Sequence, residues 1–213
     1  MSRRCLVVDL DRCSGCDSCC VACKFENKVE LGTYWNRVFA VGPTGEYPNT
    51  EMYWLPMQCQ QCENAPCAQV CPTGATYRDP KNGVVLIDKG KCIGCRYCMY
   101  ACPFDVRSFN EEQGVVEKCT LCNHLTANSD GNENPDDTMD LQHAVPPCVH
   151  NCPAKARYFG DLDDPNSAAA KAVAAAGGEG SPRVHSLGDP GNVKPSALYI
   201  LSPETASWKE LSR

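Results

Sequence analysis

Cysteine carries the chemistry of this sequence. Of 18 cysteines, all but Cys5 and Cys20 fall into four groups of four: Cys13-Cys16-Cys19-Cys23, Cys59-Cys62-Cys67-Cys71, Cys92-Cys95-Cys98-Cys102 and Cys119-Cys122-Cys148-Cys152. The first and third groups have the spacing C-x2-C-x2-C-x3-C, and three of the groups close on Cys-Pro. That spacing presents several sulfurs from one turn of backbone and is a donor pattern of cubane iron–sulfur clusters. Gly15 and Gly94, inside the first Cys-x2-Cys of their groups, let the backbone turn tightly against such a cluster. Four groups imply four [4Fe–4S] clusters, and that density points to carrying electrons, not to making or breaking bonds.

Other uses of cysteine fit less well. The even count would suit a disulfide scaffold, but the short repeated spacings and the strands between them argue for metal. Structural zinc is the stronger competitor, because CxxC pairs also build ribbons and knuckles. Three sulfurs within seven residues are nevertheless unusual for a tetrahedral zinc site. Cys20-x2-Cys23 is also a CxxC, so the first group has two registers. Symmetry with the third group favours Cys19 as the ligand and Cys20 as a small apolar filler. His124, His143, His150 and His185 are candidate ligands or tuners, His150 foremost because it lies between Cys148 and Cys152, but cysteine already fills every slot. Lys24, Lys91, Arg96 and Lys118 border ligands and read equally as tuners of potential or as solvated charges. Trp35, Trp54 and Tyr97 read as packing residues. No nucleophile–base pair, phosphate-cradling loop or flavin motif accompanies the cysteines.

The rest of the chain must position these groups with little apolar material. The 213 residues are 43% hydrophobic but only 8% aromatic, with 16 Gly and 16 Pro. Metal binding can supply part of the missing folding free energy. A net charge of −6 without a basic stripe excludes nucleic acid as a partner. No apolar run reaches the length of a membrane helix, so a membrane link would need another subunit. Arg3-Arg4 is followed too soon by Asp9 and Cys13 for a signal peptide and reads as the start of a strand. Residence on the cytoplasmic side and export on a partner's signal are both open.

The sequence also repeats. Leu6-Val7-Val8-Asp9 before Cys13 matches Val85-Leu86-Ile87-Asp88 before Cys92, with a weaker copy at Val115-Val116-Glu117-Lys118 before Cys119. The closing segments Cys71-Pro72, Cys102-Pro103 and Cys152-Pro153 repeat as well. Thr76–Arg78 and Val84–Ile87 flank an Asn82-Gly83 turn, and Val106–Phe109 and Val115–Glu117 flank Asn110–Gly114, which predicts two hairpins. Ala127–Pro147 reads as a long surface insertion. Asn166 or Ser167 could cap an Ala-rich helix that Gly177-Gly178 would end. Gly178–Pro195 reads as loop and Ala197–Leu201 as a last strand.

Strand pairs alternating with cluster loops and single helical turns resemble a bacterial two-cluster ferredoxin, here present twice. In such ferredoxins the remote Cys-Pro cysteine ligates the other cluster. That resemblance implies an exchange of the fourth cysteines between paired groups. The first cluster would take Cys13, Cys16, Cys19 and Cys152, and the second Cys119, Cys122, Cys148 and Cys23. The third would take Cys59, Cys62, Cys67 and Cys102, and the fourth Cys92, Cys95, Cys98 and Cys71.

More specifically, Gln58-Cys59-Gln60-Gln61-Cys62-Glu63-Asn64-Ala65-Pro66-Cys67, Lys118-Cys119-Thr120-Leu121-Cys122 and Phe159-Gly160-Asp161-Leu162-Asp163-Asp164-Pro165-Asn166-Ser167 resemble the four-cluster iron–sulfur subunit of the dimethyl sulfoxide reductase superfamily of molybdopterin oxidoreductases. The likeness covers nearly the whole chain. The first group closes on Cys23-Lys24, which suits that family and departs from the simple ferredoxin rule. The resemblance implies a non-catalytic electron-transfer subunit docked on a large molybdopterin-containing catalytic subunit, with room for a membrane-anchor subunit. The implied fold is α+β: an outer ferredoxin-like unit (1–49 plus 115–160), an inner one (50–114) and a C-terminal helix and strand extension (161–213). A free soluble polyferredoxin serving a hydrogenase or formate dehydrogenase is the alternative, followed by a zinc-stabilised interaction module.

Overall fold

The residue after the last cysteine of each group decides how long its helix can be. The structure, a computed structural model, describes residues 2–128 and 144–202. Most of the insertion read at Ala127–Pro147, with His143, lies outside the described residues, as does the end of the C-terminal extension. In the first group Cys23 is followed by Lys24, and helix α1 (Ser18–Asn27) runs for ten residues until Lys28 ends it in the left-handed region. In the other groups proline follows the closing cysteine. Proline disfavours helical geometry in the residue before it and cannot continue a helix. Helices α2 (Pro66–Gln69) and α3 (Tyr97–Tyr100) are accordingly single turns that stop just before Cys71 and Cys102. Helix α4 (Asn123–Thr126) is a single turn after Cys122, and α5 (Pro147–His150) is another that stops before Cys152. The expectation of single turns throughout is thus corrected at α1.

The fold is small and α+β, with short strands. Strand β1 (Arg4–Asp9) forms where the sequence suggests, and Leu6, Val7 and Val8 are fully buried. The hairpin of β2 (Asn36–Thr44) and β3 (Glu51–Gln58) has no counterpart in the sequence reading. Gly42, Pro43 and Pro56 interrupt its apolar pattern, and β2 is largely exposed, so neither strand alternates cleanly. It also spans residue 50, where the inner unit was expected to begin. The two expected hairpins form, as β4 (Thr76–Arg78) with β5 (Val85–Ile87) and β6 (Ser108–Asn110) with β7 (Val115–Glu117).

The remaining strands join the two ends of the chain. β8 (Arg157–Asp161) pairs antiparallel with β1, β9 (Val184–His185) pairs with β10 (Leu198–Ile200), and β10 lies parallel to β1, giving the order β8-β1-β10-β9. The Gly178–Pro195 loop therefore contains a short strand that its sequence concealed. Helix α6 (Ala168–Ala175) covers this sheet, with Ala169 and Val173 packed on Cys5, Val7, Leu198 and Ile200. Elsewhere the core is partly made of cysteine. Cys19, Cys20, Cys23, Cys59, Cys119 and Cys148 pack with Leu6, Trp35 and Phe159.

Of the two capping candidates the structure selects Ser167. Its Oγ accepts from the Ala170 N–H at 3.1 Å and donates to the Asp161 carbonyl at 2.6 Å. One hydroxyl thereby fixes α6 to the end of β8. Ser167→Ala should cost about 1 kcal/mol, seen in thermal denaturation as a fall of roughly 2–4 °C in Tm. An unchanged Tm would show that the cap does not tie helix to sheet.

Candidate metal centres

Each group begins with a Cys-x2-Cys loop, and all four loops share one backbone feature. The residue just before the second cysteine has positive φ: Gly15 at 69°, Gln61 at 51°, Gly94 at 68° and Leu121 at 54°. Glycine reaches that region freely, whereas a buried leucine or glutamine does so at a cost of order 1–3 kcal/mol. The surroundings hold both strained residues in place. Gln61 Nε2 donates to the Cys119 carbonyl at 3.2 Å, its Oε1 accepts from the Val85 N–H at 2.9 Å, and its carbonyl accepts from Ser196 at 2.9 Å. The Leu121 carbonyl accepts from Thr126 Oγ1 at 3.0 Å. Left-handed residues inside short loops turn successive backbone N–H groups into an anion-binding concavity of the kind that receives cluster sulfur.

The glycines are also needed for space. A Cβ on Gly15 would stand 2.3 Å from the Trp54 ring, and one on Gly94 would stand 2.6 Å from the Gly114 carbonyl oxygen. Trp54 thus packs directly on the first cysteine loop, and Trp35 is buried among cysteines. Tyr97, read as packing, is 61% exposed. It stands on a single-turn helix whose buried residue is Cys98.

Three cavities gather cysteines from distant parts of the chain. Cys13, Cys16, Cys19 and Cys152 line one of about 320 Å³, beside Arg157. Cys23, Cys119, Cys122 and Cys148 line a second of about 340 Å³, again with Arg157 in the wall. Cys59, Cys62, Cys67 and Cys102 line a third of about 300 Å³, beside Arg107. Equal donor sets of four cysteines suit one kind of occupant. Cys92, Cys95 and Cys98 follow the same loop pattern. Cys71 is brought towards Cys98 through Thr76, whose N–H reaches Cys71 Sγ at 3.4 Å and whose side chain lies beside Cys98. None of the described cavities gathers those four.

The donor chemistry fits an iron–sulfur occupant. All 18 cysteines are free of disulfides. Burial, followed by the facing Cys119, Cys148 and Cys122, pushes the Cys23 thiol well up. Burial and the neighbouring Cys59, Cys67 and Cys102 push Cys62 up to about 12. Burial and Cys148 likewise push Cys119 to about 12. Four such thiols can ionise together only around a multivalent cationic core. The register at Cys19 and Cys20 is also legible: hydrogen bonding from the Cys20 thiol favours ionised Cys19 and raises Cys20 itself. Cys19 lines the cavity, while Cys20 Sγ accepts from Asn36 Nδ2 at 3.6 Å. Cys5 is buried in the sheet core, outside the quartets.

The three described histidines stand apart from these cavities. His124 pairs with Glu26 at 2.7 Å, His150 is exposed on α5, and His185 lies in β9, where burial lowers its pKa. The border cations separate into two kinds. Lys24 stacks over Tyr34, Lys91 pairs with Asp88, and Arg96 pairs with Glu111 while stacking on Phe109, all towards the surface. Lys118 is buried at 1% exposure. Arg107 and Arg157, both also buried, were missed in the sequence. The available signal was their shared offset in Cys102-Pro103-Phe104-Asp105-Val106-Arg107 and Cys152-Pro153-Ala154-Lys155-Ala156-Arg157.

Comparison with known proteins agrees with this chemistry. A family model described as a 4Fe-4S dicluster domain matches residues 50–162. A Halobacterium salinarum protein provisionally named as a dimethyl sulfoxide reductase iron–sulfur subunit is 44% identical over 92% of this chain and 78% of its own. A sulfite dehydrogenase subunit from Allochromatium vinosum is 41% identical over 84% of this chain and 77% of its own. The thiosulfate reductase electron transfer subunit of Salmonella typhi is 43% identical over 73% of this chain and 74% of its own.

The close approach at Gly94 yields a direct test. Gly94→Ala forces a Cβ against a backbone carbonyl in a left-handed residue. The variant should lose about one cluster, roughly four irons per chain, by anaerobic iron and sulfide analysis. Full iron content would mean that the loop yields without cost.

Proposed function

The chain belongs to the 4Fe-4S dicluster family of iron–sulfur subunits, and from that premise we propose that it relays electrons through four [4Fe–4S] clusters to or from a molybdopterin-containing catalytic subunit. It is an electron-transfer subunit, not a catalytic one. The observation that carries the reading is the convergence of cysteines from both ends of the chain on shared cavities.

The proposed ligand sets are Cys13, Cys16, Cys19 and Cys152; Cys119, Cys122, Cys148 and Cys23; Cys59, Cys62, Cys67 and Cys102; and Cys92, Cys95, Cys98 and Cys71. When bound, the clusters accept and pass on single electrons. The protein's part is to hold the four sets in a row. Arg157 lies in the walls of both the first and second cavities. Cys119 of the second set interacts with Cys59 of the third. Arg107 lies beside both Cys67 of the third set and Cys98 of the fourth. The exposed cysteines, Cys16 and Cys95, belong to the sets at the two ends. Buried sets in the middle and exposed sets at the ends suit a wire that exchanges electrons with partners at its termini.

In this reading the first and second sets make an outer ferredoxin-like unit (1–49 plus 115–160), the third and fourth an inner one (50–114), and 161–213 an extension that binds the ends together. Pairing of β1 with β8 and β10 supports that role for the extension. Among the described residues no helix is long and apolar enough to cross a membrane; a membrane-anchor subunit is a further proposed partner.

Three measurements test the proposal. Anaerobic analysis should find about sixteen irons per chain; negligible iron with stoichiometric zinc would sink it. Cys152→Ala should abolish the same electron paramagnetic resonance signal as Cys16→Ala. Loss instead of the signal that Cys122→Ala removes would mean that each group closes on its own cluster. Purification of the chain as a lone monomer, with no large pterin-containing protein, would favour a diffusible carrier.

A further inference from the structure

Three cations are buried along the row of cysteine quartets. Arg107 and Arg157 are each 4% exposed and Lys118 is 1% exposed. A buried cation is strongly disfavoured unless an anion accompanies it, yet among the described residues none of the three meets a carboxylate. Arg157 donates to the neutral Asn36 Oδ1 at 3.4 Å and Gln58 Oε1 at 3.1 Å, and its Nε has no partner. Arg107 donates to Thr76 Oγ1 at 3.4 Å, and its Nη2 has none. Lys118 Nζ meets only backbone carbonyls, those of Val85 and Cys119.

Each of the three faces cysteines of two different sets. Arg157 lines both the first and the second cavity. Lys118 donates to the carbonyl of Cys119, of the second set, and to that of Val85, which lines the third cavity. Arg107 lines the third cavity and donates to Thr76, whose N–H reaches Cys71 Sγ of the fourth set. The thiolate-bound clusters would be the anions that compensate these charges.

We propose that Arg157, Lys118 and Arg107 are buried counter-charges, one in each gap between successive quartets, that set the potentials of neighbouring clusters in pairs. Net charge and hydrogen bonding around the sulfurs are among the determinants of a cluster's potential. A cation in a gap lowers the energy of an added electron on either side of it. It therefore raises two neighbouring potentials together, and the second and third sets, each flanked by two such cations, are raised most. The step served is a one-electron exchange between adjacent clusters, one oxidised as the other is reduced, with no proton moved. These are positioning residues for the electron, not ligands.

This inference rests on the four-cluster reading, and the test separates the two. Arg157→Gln, Lys118→Gln and Arg107→Gln would be made in the full chain, with each cluster's midpoint potential followed by paramagnetic resonance during redox titration. Arg157→Gln should lower the potentials of the first and second clusters, Lys118→Gln those of the second and third, and Arg107→Gln those of the third and fourth. Iron content should be unchanged, and Arg157→Lys should restore most of the first shift. Unmoved potentials, or one shift common to all four clusters, would overturn the inference. So would loss of iron in all three variants, which would assign the cations to cluster assembly. Absence of iron from the unsubstituted chain would instead overturn the cluster reading.

Discussion

Sulfur burial is the constraint on which the rest of the fold depends. Most of the ligand-group cysteines lie at the core, where a chain of this size would ordinarily place leucine and phenylalanine. Burying ionised thiolates without compensation is prohibitive. The protein therefore needs positive charge inside, from a cluster core and from Arg107, Lys118 and Arg157. The short helices follow from the same demand. A single turn delivers one or two sulfurs to a cavity, and proline then redirects the chain towards the neighbouring site.

The second consequence is topological. Cys13, Cys16 and Cys19 share a cavity with Cys152. That meeting requires β8 to lie against β1, and it does, with Val8 opposite Arg157 and Val7 opposite Tyr158. The strand that brings Cys152 home thus begins with the guanidinium that stands between two cavities. β10 then covers the other edge of β1, and α6, fixed by Ser167, covers the face. The C-terminal segment carries none of the sixteen group cysteines, yet it supplies β9 and β10 to the sheet that joins β1 to β8.

Much of this was legible in the residues. Cysteine spacing marked the groups whose members line the three cavities, the Asn82-Gly83 turn gave one hairpin, and the strand before Cys13 was where it was expected. The β2–β3 hairpin was not legible, because prolines and exposure hide its alternation. The length of α1 could have been read from Lys24 standing where proline stands elsewhere. Arg107 and Arg157 were hidden because an arginine in sequence looks like a surface charge, and only burial against cysteine gives it another role. Left-handed Gln61 and Leu121 were hidden for a related reason: the residue types forbid what their hydrogen-bonded surroundings impose.

The sequence by itself determined the ligand chemistry, since thiolate donors at fixed short spacing leave few metals and few cluster types to choose from. It also determined where α2, α3 and α5 must stop, because proline acts on its immediate neighbours. Only the tertiary structure decided which remote cysteines share a cavity, which cations lie beside them and which sulfurs meet solvent. Those relations join residues far apart in the chain, and the physical reason is that burial and electrostatic neighbourhood are properties of packing, on which local spacing is silent.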